Sequence, residues 1–248
     1  MATILFLNIF TICMHTYILQ IETSTSVCSV ALVESGNVRQ HESVDEPNVH
    51  ASRLTLLIQA LLDQENIGFK DLSAIAVSMG PGSYTGLRIG VSTAKGLCYA
   101  LNVPLIAVNT LDSIYSGFRA NEGISLSYDL YVPMLDARRM EVYCAFFDNV
   151  GTLVNGTQAL IIDETSFDRY IEDYPRICLF GPGADKLQGV FTADQGVDII
   201  VGVQTSAVDL SQIAFAKYKA EEFEDVAYFE PYYLKDFVAT PAKKRPGL

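Results

Sequence analysis

Residues 78–97 read S-M-G-P-G-S-Y-T-G-L-R-I-G-V-S-T-A-K-G-L, between the apolar runs L-S-A-I-A-V (72–77) and V-P-L-I-A-V (103–108). Strand, helix and strand within about 35 residues make a crossover unit in a sheet. Gly80 and Gly82 flank Pro81, so the chain turns sharply here. Ser83 or Thr85 then caps a helix predicted from about Tyr84 to Leu101. Inside it, Gly86, Gly90 and Gly96 each cost roughly 1 kcal/mol against alanine, which packing has to recover. Gly86, Gly90 and Ala94 stand at i, i+4 and i+8 and form one face of small residues, with Leu87, Val91 and Cys98 on the other side. The expectation is that one face packs on the sheet while the other admits a helix from elsewhere. On that view, Gly90→Leu breaks a complex without unfolding the monomer.

The same glycines do not spell a nucleotide motif. G-x-x-x-x-G-K-[ST] is absent and Lys95 lies well inside the helix. G-x-G-x-x-G does not follow a strand either. A helix N-terminus can still attract an anion, so weak phosphate affinity stays open.

Upstream, Thr16–Ile21 and Val27–Val33 read as strands joined by the polar turn E-T-S-T-S (22–26), and Val38–Val44 offers a third. After Pro47, Asn48 can cap a helix in which Leu54, Leu57, Ile58, Leu61 and Leu62 form one apolar stripe. Leu56 and Ala60 widen it. Such a helix is either sandwiched in its own core or docks a partner with its second face. Downstream, Thr110–Phe118 reads as a short helix, and the polar stretch 121–127 as a boundary between lobes. Leu130–Leu135 and Glu141–Phe147 form a hairpin around D-A-R-R (136–139). Thr165–Glu172 and Val208–Phe223 read as helices and Arg176–Phe180 as a strand. No repeat of fixed period is visible. The fold class expected is α/β, with two lobes of mixed sheets flanked by helices. Their ranges are an N-terminal lobe over 14–120, a C-terminal lobe over 121–235 and a tail over 236–248.

Composition narrows the function classes. The chain has 248 residues, half of them hydrophobic, and a net charge of −12. So acidic a chain repels phosphates at long range and is a poor nucleic-acid binder alone. Lys243-Lys244-Arg245 is its one concentrated basic stretch. Asp136, Arg138, Arg139 and Glu141 make a charged hairpin tip, either solvated or an anchor for a carboxylate, a phosphate or a neighbouring subunit. Five scattered cysteines with no C-x-x-C pair suggest buried free thiols in a reducing compartment, hence a cytoplasmic protein. The apolar run 1–13 lacks a basic flank and a cleavage site, and it is too short to span a bilayer. It is an extension or a start placed upstream of Met14, and no membrane association is expected. His15, His41 and His50 include no pair four apart and no H-E-x-x-H exists, so neither a two-imidazole metal site nor a metallopeptidase is expected.

G-P-G-S-Y-T-G-L-R-I-G (80–90) followed by A-K-G-L (94–97) resembles the signature of the family of TsaB (YeaZ) and its paralogue TsaD. The likeness continues through I-L-Q-I-E-T-S-T (18–25), His50 with its leucine-rich helix, N-T-L-D-S (109–113), L-D-A-R-R-M-E-V-Y (135–143) and P-Y-Y-L-K (231–235). It implies the two-lobed actin/Hsp70/sugar-kinase-like fold. It also implies a non-catalytic scaffolding subunit that binds TsaD, the catalyst of tRNA N6-threonylcarbamoylation (t6A), with TsaE as an ATPase in the complex. ATP and a metal ion would then belong to those partners, tRNA would be met only through the complex, and self-pairing into a homodimer is possible. In the family the contact is a helical bundle of the first two helices. Carried over, that places His50, Leu54, Leu57, Leu61, Gly86, Gly90, Ala94 and Leu97 in a partner interface, and Leu57→Asp should break it. Glu22, Thr23 and Ser24 match the turn that approaches phosphates and magnesium in the actin-like class. Relatives commonly carry Asp where Glu22 stands, and the turn lacks glycine, so a structural turn is the other reading. No residue is expected to be catalytic or to hold a metal. The rival reading is a small-molecule kinase or ATPase using the same cleft.

Overall fold

The computed structural model describes residues 15–46, 49–120 and 127–235. The expectations for residues 1–13, the Asn48 cap and the tail 236–248 fall outside them, as does nearly all of the 121–127 boundary. Among the described residues three antiparallel strands come first: β1 (Tyr17–Glu22), β2 (Val27–Glu34) and β3 (Asn37–Asp45). Helix α1 (His50–Glu65) follows, then β4 (Leu72–Gly80), α2 (Tyr84–Leu101) and β5 (Leu105–Asn109). β4 pairs in parallel with both β1 and β5, so the sheet order is β3-β2-β1-β4-β5. The all-apolar reading of β4 fits a central parallel strand covered on both faces.

Helix α3 (Thr110–Ala120) leads to the second sheet. It comprises β6 (Leu130–Asp136), β7 (Glu141–Asp148), β8 (Leu153–Ile161), β9 (Ile177–Phe180) and β10 (Val197–Ile200), with the short α4 (Asp168–Ile171) between β8 and β9. The order is β8-β7-β6-β9-β10, with the first three strands antiparallel and the last two joined in parallel. That is the topology of the first sheet repeated. The duplication is one of backbone path, and no sequence repeat announces it.

Four apolar clusters seat these layers. Helices α1 and α2 cover one face of the first sheet through Leu54, Ile58, Leu61, Leu62, Val91 and Cys98. Helix α5 (Ser211–Lys219) covers the other face through Ala214, next to Ile18 and Ile106. Each of the large aliphatic side chains contributes about 1.5–3 kcal/mol by burial. On the second sheet, α3 packs Leu111, Ile114 and Phe118 against Tyr131 and Phe180. Phe167, Tyr170 and Leu187 close the opposite face. The four cysteines among the described residues are free and buried, and burial pushes Cys28 up to about 11 and Cys144 to about 12.

Beyond the second sheet the chain returns to the first one, which the expected division at residue 121 does not anticipate. After α5, Glu224 bridges to Leu105, Lys95 donates to the carbonyls of Ala227 (3.2 Å) and Phe229 (2.8 Å), and Tyr232 N donates to Met79 O at 2.7 Å. Lys235 then ion-pairs with Glu141 at the start of β7. Residues 224–235 are therefore a strap that crosses the glycine-rich loop and reaches the second sheet. Helix 165–172 shrinks to α4, and helix 208–223 becomes a 3-10 turn at 207–210 plus α5, which ends at Lys219.

Candidate functional site

The glycine-rich run is packed against its own chain. Ser83 Oγ accepts from Gly86 N at 3.2 Å and caps α2. Ser83 N donates to Ser24 O at 2.6 Å, which fastens the loop to the β1–β2 turn. A methyl at Gly82 would lie 2.5 Å from Ser24 O, and one at Gly80 2.5 Å from Tyr232 O in the strap. Along the helix, a methyl at Gly86 would collide with the Thr23 carbonyl oxygen and one at Gly90 with Thr23 Oγ1. Both approaches are well inside the ~3.5 Å of ordinary contact. Gly86, Gly90 and Ala94 are buried together with Leu87, Val91 and Cys98, so both faces lie inside the monomer. The thinned face expected to admit a foreign helix holds Thr23 instead.

The other residues expected at a partner interface divide by exposure. His50, Leu54 and Leu61 are buried in the chain's own core, while Leu57 and Leu97 are half-buried against it. The outer flanks of the two helices carry Leu56, which the sequence placed on the second face of α1, and Gly96 and Tyr99 of α2. Tyr99 is 86% exposed and Leu56 59%, and no atom lies within 4 Å of where a side chain at Gly96 would begin. Lys95, Gly96, Tyr99, Asp225, Val226 and Ala227 line a hollow of about 510 Å³ there.

Glu22 ends β1, Thr23 and Ser24 begin the turn after it, and all three are buried. Glu22 Oε1 accepts from Ser24 N at 2.6 Å; Glu22 Oε2 and Thr23 Oγ1 have no hydrogen-bond partner among the described residues. Burial pushes the Glu22 carboxyl above the usual carboxylate range, against the opposing pull of the hydrogen bond from Ser24 N. A magnesium-phosphate site needs an ionised carboxylate and room for phosphate beside the backbone. Here the carboxyl resists ionisation and the turn is filled by Gly82, Gly86 and Gly90 packing onto it, so the geometry does not fit a bound nucleotide. Among the described residues no group of three His, Cys, Asp or Glu is arranged to hold a metal ion. No helix among them is long and apolar enough to cross a membrane.

A second carboxyl, absent from the sequence reading, faces this corner. Asp209 Oδ2 accepts from Ser206 N at 3.1 Å, and its side chain packs against Gly117 of α3, where any side chain would strike it. Burial, then the nearby Glu22, push Asp209 up to about 7. The unfolded chain ionises near the ordinary carboxylate value, so between about pH 4 and pH 7 the folded state holds the extra proton and stability falls as pH rises. Asp209→Asn is expected to stabilise the protein at about pH 8 by on the order of 2 kcal/mol, with the gain vanishing near pH 4. Urea unfolding across that range checks it, and a gain that persists on acidification would assign the effect elsewhere.

The D-A-R-R tip is a tight turn. Arg138 and Arg139 take φ of 75° and 52°, and Arg138 N donates to Asp136 Oδ1 at 2.8 Å. Left-handed backbone costs about 1–2 kcal/mol for each non-glycine residue, so two in a row are held there by the surrounding hairpin.

Two five-stranded mixed sheets of one topology, with helices on their faces, define the actin/Hsp70/sugar-kinase-like class. Within that class, the family described as TsaD: tRNA N6-adenosine threonylcarbamoyltransferase matches over residues 47–242. The tRNA threonylcarbamoyladenosine biosynthesis protein TsaB of Escherichia coli is 30% identical, over 93% of this chain and 98% of its own length. The Bacillus subtilis protein of the same name is 35% identical, over 52% and 54%. YeaZ from Pseudomonas aeruginosa superposes with a TM-score of 0.73 at 25% identity, covering 88% of this chain and all of that one. The chain belongs to the TsaB/TsaD family.

Proposed function

We propose that this chain is the non-catalytic, TsaB-type subunit that holds a TsaD-type catalytic subunit while the latter threonylcarbamoylates N6 of the adenosine beside the anticodon in tRNAs reading codons that begin with A. The observation that carries this reading is end-to-end kinship with a chain named for that pathway. Two features of the site support it. The corner where the actin-like class holds nucleotide is filled by the chain's own glycine helix, which argues for ATP and metal residing on partners, a TsaE-type ATPase among them. The outer flanks of α1 and α2 present Leu56, Gly96 and Tyr99 to solvent, and a helix pair with an apolar outer strip suits a helical-bundle contact. A homodimer through the same strip is the competing use of that surface.

Depletion of the protein in its native cell, followed by mass spectrometry of tRNA nucleosides, tests the reading. The expected result is loss of most threonylcarbamoyladenosine, restored by a plasmid copy that co-purifies with the catalytic subunit. Undiminished modification would sink the proposal. Micromolar binding of magnesium-ATP to the isolated chain would instead favour a kinase or ATPase.

A further inference from the structure

The hairpin tip gathers charge of the sign that the rest of the chain avoids. The protein carries a net charge of −12 with only 17 lysines and arginines, and four of these stand at this one place. Arg138 and Arg139 occupy the turn, Lys186 pairs with Asp136, and Lys235 at the end of the strap pairs with Glu141. Lys186 also donates to Glu141 O at 2.6 Å, and Asp185 Oδ1 accepts from Gly202 N at 2.9 Å. The carboxylates here are therefore engaged by Lys186, Lys235 and a backbone N–H. Arg138 and Arg139 remain, both exposed, with no ion pair or side-chain hydrogen bond among the described residues. In the sequence, Lys243, Lys244 and Arg245 follow Lys235 within ten residues.

Left-handed backbone at two successive arginines fixes where both guanidinium stems leave the turn. Solubility alone asks nothing of the kind, since lysine or glutamate on an ordinary turn would serve. Guanidinium is the group that meets phosphate in a bidentate way. We infer that Arg138 and Arg139 form a contact for the RNA phosphodiester backbone, which seats the tRNA on this subunit while the catalytic subunit works on it. The inference rests on the functional reading above. Phosphate is favoured over an acidic protein surface because the tip has cations without an apolar centre. Met140, 39% exposed, is its one large apolar neighbour in the turn, whereas protein interfaces are built around a buried apolar core. Two phosphate contacts also reconcile the tip with the chain's acidity: the contact orients RNA already held by the complex, and the chain alone binds RNA weakly.

The test uses full-length chain, alone and with its catalytic subunit, and an unmodified transcript of a tRNA that reads a codon beginning with A. Salt titrations compare the natural chain with R138Q/R139Q and R138K/R139K. The glutamine pair is expected to weaken tRNA binding by the complex about tenfold and to flatten the slope of log K against log salt by roughly one to two. The lysine pair should recover most of the slope, and co-purification with the catalytic subunit should be unchanged. A photo-crosslinking residue at Met140 is expected to capture tRNA. An unchanged slope, crosslinks to protein only, or no RNA binding by either species overturns the contact. A slope that responds in the isolated chain without any co-purification keeps the contact and sinks the subunit reading.

Discussion

Gly86→Ala is expected to abolish the folded monomer, and Gly90→Ala to weaken it in a way that Thr23→Ala rescues. Both substitutions gain about 1 kcal/mol of helix propensity, so propensity predicts stabilisation. Packing reverses the sign. The methyl at Gly86 meets the Thr23 carbonyl oxygen, a backbone atom anchored in the β1–β2 turn that cannot yield without moving β1. Overpacking against movable side chains already costs about 1–3 kcal/mol. Against fixed backbone the cost rises toward the whole stability of a typical domain, about 5–15 kcal/mol. At Gly90 the nearest atom is Thr23 Oγ1, with the Thr23 Cβ next at 3.3 Å. Removing that hydroxyl leaves the Thr23 Cβ at 3.3 Å, a tight contact relieved by a shift of a few tenths of an ångström, and it removes a buried oxygen that has no hydrogen-bond partner among the described residues. A double-mutant cycle on Gly90 and Thr23, followed by urea unfolding, should show a favourable coupling of about 1–2 kcal/mol. No coupling there, or a stable Gly86→Ala monomer, would mean the helix faces something other than Thr23.

The contrast shows what the sequence could and could not deliver. The small-residue face was legible from the spacing of Gly86, Gly90 and Ala94, and so was the need to recover lost propensity by close approach. What fills the face was not legible, because Thr23 lies more than sixty residues upstream and nothing in E-T-S-T-S marks it as the filler. The strands of the first sheet and the β6–β7 hairpin follow from apolar runs and turn residues. β8 escaped notice because L-V-N-G-T-Q-A-L-I breaks its alternation with Asn155 and Gly156, and β10 because Asp198 interrupts V-D-I-I, whereas the equally short β9, I-C-L-F, is an unbroken apolar run. Asp209 could not be linked to Glu22 before the path from β10 back to the first sheet was known. A lone aspartate at the start of a helix reads as a cap, and Asp209 does serve as one for Ser206 N.

The same burial pattern decides how the partner surface should be probed. Leu57→Asp places a carboxylate on a side chain that is half-buried against the core, so it would lower stability and binding together and separate nothing. Leu56 and Tyr99 are different: they are large and apolar and stand out from the two helices, with open space over Gly96 on α2. Exposed substitutions of this kind change stability by about 0.5 kcal/mol or less, so the melting temperature of a Leu56→Asp/Tyr99→Asp chain should stay within about 2 °C of the natural one. Binding should not survive as well. An aromatic anchor at the centre of an interface commonly carries 2 kcal/mol or more, and an added carboxylate must then be buried without a partner. Two such losses weaken association with the TsaD-type subunit by at least about a hundredfold, at about 1.4 kcal/mol for each tenfold. Titration calorimetry with the purified catalytic subunit measures this directly, with R138Q/R139Q as the variant expected to bind it normally. Undiminished affinity of the double aspartate chain, with its fold intact, would move the partner off the α1–α2 flank altogether.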